Sequence, residues 1–584
     1  MKQKIKKHLI AVLLISGVSW VVYFNCLKND FVFDDIQLVV ENYEIRSLKN
    51  IPAILGFDDG WPNYRPIRTL SYFIDYFISG LNPISYHISN VAYHILGTIF
   101  LYLIVVQIAK NHRMAIFAGI LFAIHPIHTD AVTYISGRRD VLSSLFYLMG
   151  FWLFLRYRNT NYKRYMAFAC VAYVLGAFTK EMAVTLPLIF LAYDFCFDID
   201  KGIKVLKKYK YQHLIFFVIV GMFAYYSIVV YSPAIIKAMK ADILGYFLEN
   251  VCLNLLTVLR IWCFYIKLLF FPMTLNADYS FNAFPRSTSV FEIQTLFCLI
   301  FLSGVGYLIF RFRHKKIVAF SALWFFITIL PVSGVIPHHE MVTEHYLYLP
   351  SAGFCILIAW LFEQLVSSPR LRSLAYPIIL IFLILLSVRT IVRNKDWKDQ
   401  FTLWEKTAKT QPNCARAHNN FGGCLQEKGR INEALGEFKR ALEISPNYYL
   451  AQHNIAFCYY LKDGWSKKVE QEFEKCFREH PNYELAHFNL GCIYQREGLI
   501  EKAESEYEKT LRINPKFIYS LKNLGSIYLQ KGQINKALTL YKEVVKINPD
   551  CIDSHMILEM LYRKMKMKDK AAEEYKTLLK LSKK

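Results

Sequence analysis

Hydrophobic positions along the chain follow two different rhythms. Up to about residue 392, apolar stretches of about 15 to 24 residues alternate with polar breaks, the length an α-helix needs to cross about 30 Å of hydrocarbon. Backbone polar groups in lipid have few other ways to be satisfied, so each stretch predicts a helix. Spans are expected near 9–27, 88–108, 114–133, 141–155, 165–179, 182–197, 213–232, 293–310, 317–336, 346–362 and 373–390, about eleven in all. The first follows Lys2, Lys4, Lys6 and Lys7 and lacks a small-x-small cleavage site, so it reads as an uncleaved anchor.

After residue 392 the period changes. Pro412, Pro446, Pro481, Pro515 and Pro549 recur at intervals of 34, 35, 34 and 34. That spacing predicts tetratricopeptide repeats, each a pair of helices. Phe421, Gly422, Ala434, Phe438, Ala441 and Pro446 mark the first unit. Leu490, Gly491, Ala503, Tyr507 and Pro515 repeat the pattern, as do Leu524, Gly525, Ala537, Tyr541 and Pro549. A small residue lets the paired helices approach, an aromatic fills the gap, and proline ends the second helix. The extra residue near Gly464 accounts for the interval of 35. Trp404 and Thr407 fit the second helix of an upstream half unit. The expected fold is therefore all-α: a polytopic membrane domain over 1–392, then an α-solenoid over 393–584 with five repeats preceded by a half unit. Such a stack offers a concave groove suited to an extended peptide.

Composition agrees with a membrane protein and excludes other classes. The 584 residues are 54% hydrophobic and 16% aromatic, too apolar for a soluble globule. The formal charge of +23 raises the question of nucleic acid, but much of the basic charge punctuates apolar runs, the mark of membrane topology, and no nucleic-acid partner is expected. Basic clusters fall at Lys110 and Arg113, at Arg156, Arg158, Lys163 and Arg164, at Lys201 to Lys210, at Arg311 to Lys316, and at Arg370 and Arg372. They share one side with the N-terminus, the cytoplasmic side by the positive-inside rule. The opposite side receives the segment after the first span, the turns near 125–140 and 337–345, the segment 233–290, and everything after 392. The stretch 248–271 is apolar enough to span, but a crossing there would put the Arg311 to Lys316 cluster outside, so it is expected to lie in the outer interface. The thirteen cysteines include no CxxC pair and read as small buried hydrophobes.

Candidate chemistry gathers in the outer segments. Phe31-Val32-Phe33-Asp34-Asp35 sets two adjacent carboxylates just beyond the first span. One can serve as a base while the other orients it or holds a divalent cation. Arg65 and Arg68, then Arg138, Arg139 and Asp140, then Lys180 and Glu181, supply fixed charge; arginines suit phosphate oxygens. His125 and His128 stand near Asp130, so a metal pair is conceivable beside a hydrogen-bonded structural role. Asn276, Asp278, Tyr279, Glu344 and Tyr346 complete the polar set.

At this point the strings become familiar. H-P-I-H-T-D-A-V-T-Y-I-S-G-R-R-D-V-L-S-S-L-F at 125–146 resembles the hallmark of the transmembrane and tetratricopeptide-repeat containing family of protein O-mannosyltransferases and its bacterial relatives. F-D-D at 33–35, Y-R-P-I at 64–67, L-N-P-I-S-Y-H at 81–87, L-N-A-D-Y-S-F at 275–281, E-H-Y-L-Y-L-P-S-A-G-F at 344–354 and R-N-K-D-W at 393–397 match in order. The resemblance implies a glycosyltransferase of the C superfold, with a lipid phosphate sugar as donor and an essential acid in the first outer loop. By position, it implies that Asp34 is the base and that Asp35 orients it or assists donor binding. Arg138 falls on the family's arginine and is the leading phosphate contact, with Lys180 and Arg65 behind it. His125, His128, Asp130, Asp140, Glu181, Asp278 and Glu344 are expected to support the site. The sequence departs from the family where His345 stands for arginine and Arg139 for a small residue or lysine.

The implied reaction moves a single mannose-like sugar from a polyprenyl or dolichyl phosphate to a hydroxyl of a protein acceptor on the noncytoplasmic side. No cofactor is certain, and a divalent cation is possible but optional because the leaving group is a phosphate. The repeats would bind acceptor or partner. A noncatalytic membrane scaffold and a lipid-linked glycan ligase or polymerase are the rival readings. No Asn-x-Ser/Thr acceptor occurs in the outer segments, which favours a bacterial inner membrane with periplasmic repeats over an endoplasmic reticulum membrane with lumenal ones.

Overall fold

The computed structural model describes residues 2–56, 65–197, 209–226, 251–280, 283–335 and 340–582. The basic residues Lys201 to Lys208, the end of the span expected at 213–232, Tyr64, Phe281 and the start of the expected turn at 337–345 lie outside them. Every regular element among the described residues is helical. The chain divides into two compact units, Met1–Cys414 and Ala415–Lys584.

The first unit is a multi-pass membrane domain. Among the described residues, five helices are long and apolar enough to cross a bilayer: Ile5–Lys28, Pro83–Ala109, Val251–Phe270, Ile293–Arg311 and Arg372–Trp397. A sixth crossing is available if His112–Ile124 and Pro126–Val132, bent by 49°, act together. The other expected spans are shorter apolar helices, such as Lys316–Val332 and Ser351–Ser367, or carry charge at both ends, as Arg138–Thr160 does with Arg138, Arg139, Asp140, Arg156 and Arg158. The stretch expected to lie in the outer interface, 248–271, is helical over most of its length. Val251–Phe270 is a continuous helix of 20 residues that meets the length and hydropathy of a crossing, and its inner face is buried through Ile261, Tyr265, Leu268 and Leu269.

Residues 393–414 belong to the first unit, although a repeat half unit was expected there. Trp397 stacks on Tyr134 at 4.9 Å and Trp404 meets Phe33 edge-on at 5.0 Å. The Asp30 amide donates to Lys398 O at 2.8 Å. These aromatic contacts draw the short helix Gln400–Thr410 onto the loop that follows the first helix, where tertiary packing outweighs the repeat rhythm.

The second unit contains five helix pairs, from Ala415–Glu427 and Ile431–Ile444 to Ile552–Lys564 and Lys568–Leu581. The small residue and the aromatic meet as their spacing predicts. A Cβ added to Gly422, Gly491 or Gly525 would stand 2.7, 2.8 or 2.8 Å from the ring of Phe438, Tyr507 or Tyr541. In the fifth pair Glu559 takes the small position and Tyr575 is 53% exposed: without the small residue the ring has no seat. Gly464 closes the helix Tyr449–Asp463 with φ +75°, a left-handed turn that glycine adopts without strain.

Candidate active site

The acidic pair is split by its own backbone. Phe33 takes φ +52°, rare for a residue with a side chain, and the two carboxylates that follow enter different environments. Asp35 is fully buried. Its Oδ1 accepts from the Ser136 amide at 2.7 Å and the Ser136 hydroxyl at 2.5 Å, and its Oδ2 accepts from the Val32 amide at 3.0 Å. Burial pushes its pKa up to about 7, against the pull of these donors. Asp34 keeps 36% of its side chain exposed. Its amide donates to Tyr134 Oη at 3.0 Å, and its Oδ2 faces Arg139 Nη1 at 3.9 Å. Asp35 therefore clasps the loop to the 134–137 turn, while Asp34 is presented to solvent.

The turn that receives this loop requires close packing. A Cβ on Gly137 would lie 2.5 Å from the carbonyl oxygens of Asp130 and Ala131, so only glycine fits where the helix Arg138–Thr160 begins. The two arginines that follow leave this point in different directions. Arg138 is fully buried. It donates to Asn90 Oδ1 at 2.7 Å and Tyr86 O at 2.8 Å, pairs with Asp75 at 2.5 Å and lies over the Tyr72 ring at 4.7 Å. The residue expected to lead phosphate binding is thus enclosed and already committed. Arg139 instead reaches Asp34, Asp140 Oδ2 at 3.7 Å and His345 Nε2 at 3.5 Å. Burial alone would lower its pKa, but Asp140, Tyr134 and Asp34 outweigh burial and raise it.

Further cations are held by their own counter-ions. Lys180 is 2% exposed, with Nζ 2.6 Å from Asp140 Oδ1 and 5.0 Å from the centre of the Tyr346 ring. Burial lowers its pKa, and Asp140 opposes that shift. Arg65 Nη2 spans both oxygens of Glu181 at 3.2 and 3.1 Å. Arg68, three residues beyond Arg65 on the helix Pro66–Ser79, is 5% exposed.

Opposite them, Asp130 accepts from the His345 amide at 3.0 Å and from His345 Nδ1 at 2.9 Å. Burial drives the His345 pKa down to about 3, so the ring is neutral and its Nε2 is an acceptor facing Arg139. Glu344 accepts from the Asn276 amide and from Tyr279 Oη and faces Arg393 Nη2 at 3.5 Å; burial pushes its pKa up to about 7. Asp278 Oδ1 accepts from the Ser280 amide at 2.8 Å. The histidine pair has backbone work: His125 Nε2 donates to Leu269 O at 2.9 Å, and His128 bridges Phe122 O and Ser351 Oγ, each at 2.8 Å. Among the described residues no three of histidine, cysteine, aspartate and glutamate converge as metal ligands.

The structure thus joins Asp34, Arg139, Asp140, Lys180, His345 and Asp130 in one polar chain, with Arg65 and Glu181 paired beside Lys180. It leaves Arg138, His125 and His128 in the surrounding framework. Sequence reasoning named Arg139 and Arg68 among the fixed charges but did not choose either as a phosphate contact. Helical geometry gave a signal for both: adjacent residues point about 100° apart, and residues three apart share a face.

Comparison with known proteins agrees with this architecture. The tetratricopeptide-repeat family matches residues 415–448, 484–517 and 518–551. Human protein O-mannosyl-transferase TMTC3 is 26% identical over 77% of this chain and 53% of its own length. Protein O-mannosyl-transferase F38B6.6 of Caenorhabditis elegans is 27% identical over 75% of this chain and 63% of its own. The Drosophila melanogaster protein O-mannosyl-transferase Tmtc3 is 25% identical over 77% and 57%. The chain therefore spans between about half and two-thirds of the length of these relatives. The solved structure of Pseudomonas aeruginosa pilF is 18% identical with a TM-score of 0.26, covering 28% of this chain and 75% of that one. An apolar helical unit aligned to such relatives, followed by matched repeats, makes the chain similar to the transmembrane and tetratricopeptide-repeat containing protein O-mannosyl-transferases.

Proposed function

We propose that the chain transfers a single mannose-like sugar from a polyprenyl or dolichyl phosphate to a hydroxyl group of a protein. The observation that carries this reading is the contrast within the acidic pair: Asp34 is 36% exposed beside Arg139, while Asp35 is sealed against Ser136. The acceptor oxygen attacks the anomeric carbon as the bond from that carbon to the phosphate oxygen breaks. The hydroxyl proton passes to the Asp34 carboxylate, and the leaving phosphate takes the bonding electron pair. Arg139, Lys180 and Arg65 stabilise the charge that develops on the phosphate. Asp35 is a positioning residue that holds the loop. Arg138 holds the helices on which the cations are mounted.

The acids follow a first helix that is preceded by Lys2, Lys4, Lys6 and Lys7, which supports a site on the noncytoplasmic face. The absence of Asn-x-Ser/Thr in the outward segments supports a bacterial inner membrane with the repeats in the periplasm. The repeats bind a protein acceptor or partner, and carriage on the same chain raises its effective concentration at the site. Mass spectrometry of glycoproteins from cells with and without the gene tests the reading, with Asp34→Asn as the control. Hexose on secreted peptides that is lost in the deletion and in Asp34→Asn is the expected result. Identical glycopeptides in all strains would overturn it.

A further inference from the structure

Among the described residues, one cation of the cluster has no partner. Arg65 is held by Glu181, Arg138 by Asp75 and Lys180 by Asp140, and Arg139 is shared between Asp34 and Asp140. Arg68 is as buried as these, at 5% exposure, yet its side chain makes no hydrogen bond or ion pair among the described residues, and its Nε is enclosed without an acceptor. An uncompensated buried charge is among the most unfavourable arrangements a fold can carry. The surroundings add to it: burial lowers the Arg68 pKa to about 10, Tyr72 opposes that shift, and nearby Arg65 and Arg139 push the same way as burial. A guanidinium set among cations and short of acceptors is relieved by an anion. Its planar fork matches two oxygens of a phosphate.

We infer that Arg68 is the seat of the donor's phosphate, gripping it in the lipid phosphate sugar and again in the lipid phosphate released after transfer. This rests on the reading of the chain as a lipid-phosphate-dependent transferase and names the residue that recognises the phosphate. The other cations, already neutralised, set its surroundings. A phosphate monoester of a lipid and free inorganic phosphate share this chemistry, and the length of the attached chain separates them.

The test uses the full-length protein in detergent, with thermal unfolding and direct binding as readouts. The probes are polyprenyl phosphate, the uncharged polyprenol of equal length, and inorganic phosphate. Polyprenyl phosphate is expected to raise the wild-type melting temperature, and polyprenol and inorganic phosphate are expected to do so far less. Arg68→Gln should lose at least tenfold in affinity for polyprenyl phosphate while melting no lower than wild type without ligand, because an unpaired buried charge has been removed. Arg68→Lys should fall between the two. A structural role would instead lower the melting temperature of Arg68→Gln. Unchanged affinity in Arg68→Gln, equal stabilisation by polyprenol, or stabilisation by inorganic phosphate alone would each overturn the seat. Sugar transfer by Arg68→Gln with an unaltered donor KM would also overturn it while leaving the proposed reaction intact. Binding of polyprenyl phosphate through Arg68 in a chain that transfers no sugar would do the reverse.

Discussion

Arg139 holds its Nη1 3.9 Å from Asp34 Oδ2, within reach of an ion pair and too far for a tight hydrogen bond. The spacing leaves the carboxylate's lone pairs to an incoming hydroxyl. Arg139 is in turn steadied by Asp140 at 3.7 Å and by His345 at 3.5 Å, whose ring is fixed by Asp130. The acid thus stands at the open end of a buried polar chain.

Replacing Asp34 with asparagine removes a base without disturbing a buried contact. Turnover should fall by roughly 10²- to 10⁴-fold, the usual worth of a general base, with little change in melting temperature. Asp35→Asn should act differently. It places an amide where three donors converge, so the melting temperature should drop and activity should fall with it. Parallel thermal unfolding and transfer assays separate the two.

The adjacent arginines provide a second contrast. Arg138→Met leaves Asp75 buried and unpaired and should destabilise the membrane unit by about 3–5 kcal/mol. Arg139→Gln should fold normally and lose turnover. Equal melting temperatures for the two variants would contradict the assignment of Arg138 to the framework.

The raised pKa of Asp35 makes a signed prediction about pH. Its folded value of about 7 lies above the unfolded value of about 3.9, so between them the folded state binds the extra proton. The contribution to stability is full below about pH 4 and is lost as pH rises through 7. Glu344, also raised to about 7, acts in the same sense. Unfolding temperatures measured from pH 5 to 8 should decline. Ser136→Ala, which removes a donor to the carboxylate, should carry that decline to higher pH.

In the repeats, Gly491→Ala and Gly423→Ala form a matched pair. The first drives a methyl to within 2.8 Å of the Tyr507 ring and should cost about 1–3 kcal/mol. The second meets nothing within 4 Å and should be neutral or stabilising by up to about 1 kcal/mol. Denaturant unfolding of the full chain, followed by the fluorescence of its aromatic residues, provides the comparison.

The repeats were legible because their information is local: a glycine and an aromatic sixteen residues apart meet inside one helix pair, as Gly491 and Tyr507 do. The membrane unit was legible in its helical character and less so in its limits. The boundary near 392 was displaced to Cys414 by Trp397 and Trp404, whose aromatic partners Tyr134 and Phe33 lie hundreds of residues earlier. The division of labour between Arg138 and Arg139 was beyond the reach of the sequence. It depends on Asp75 and Asn90, which come from other helices and make a closed pocket for one guanidinium only. Likewise Asp34 and Asp35 are equivalent as letters, and a positive φ at Phe33 together with the Ser136 hydroxyl makes them different.

Asn394 ties the last helix of the membrane unit to the first. Its amide donates to Val22 O and Asn25 Oδ1, its Oδ1 accepts from Thr133, and its carbonyl oxygen accepts from Asn29. During synthesis this fastening cannot close until nearly four hundred residues have left the ribosome and the final hydrophobic segment has been inserted. The loop that bears the acids is secured late, by the end of the unit it opens. A nascent chain interrupted before that point has its carboxylates but not their setting.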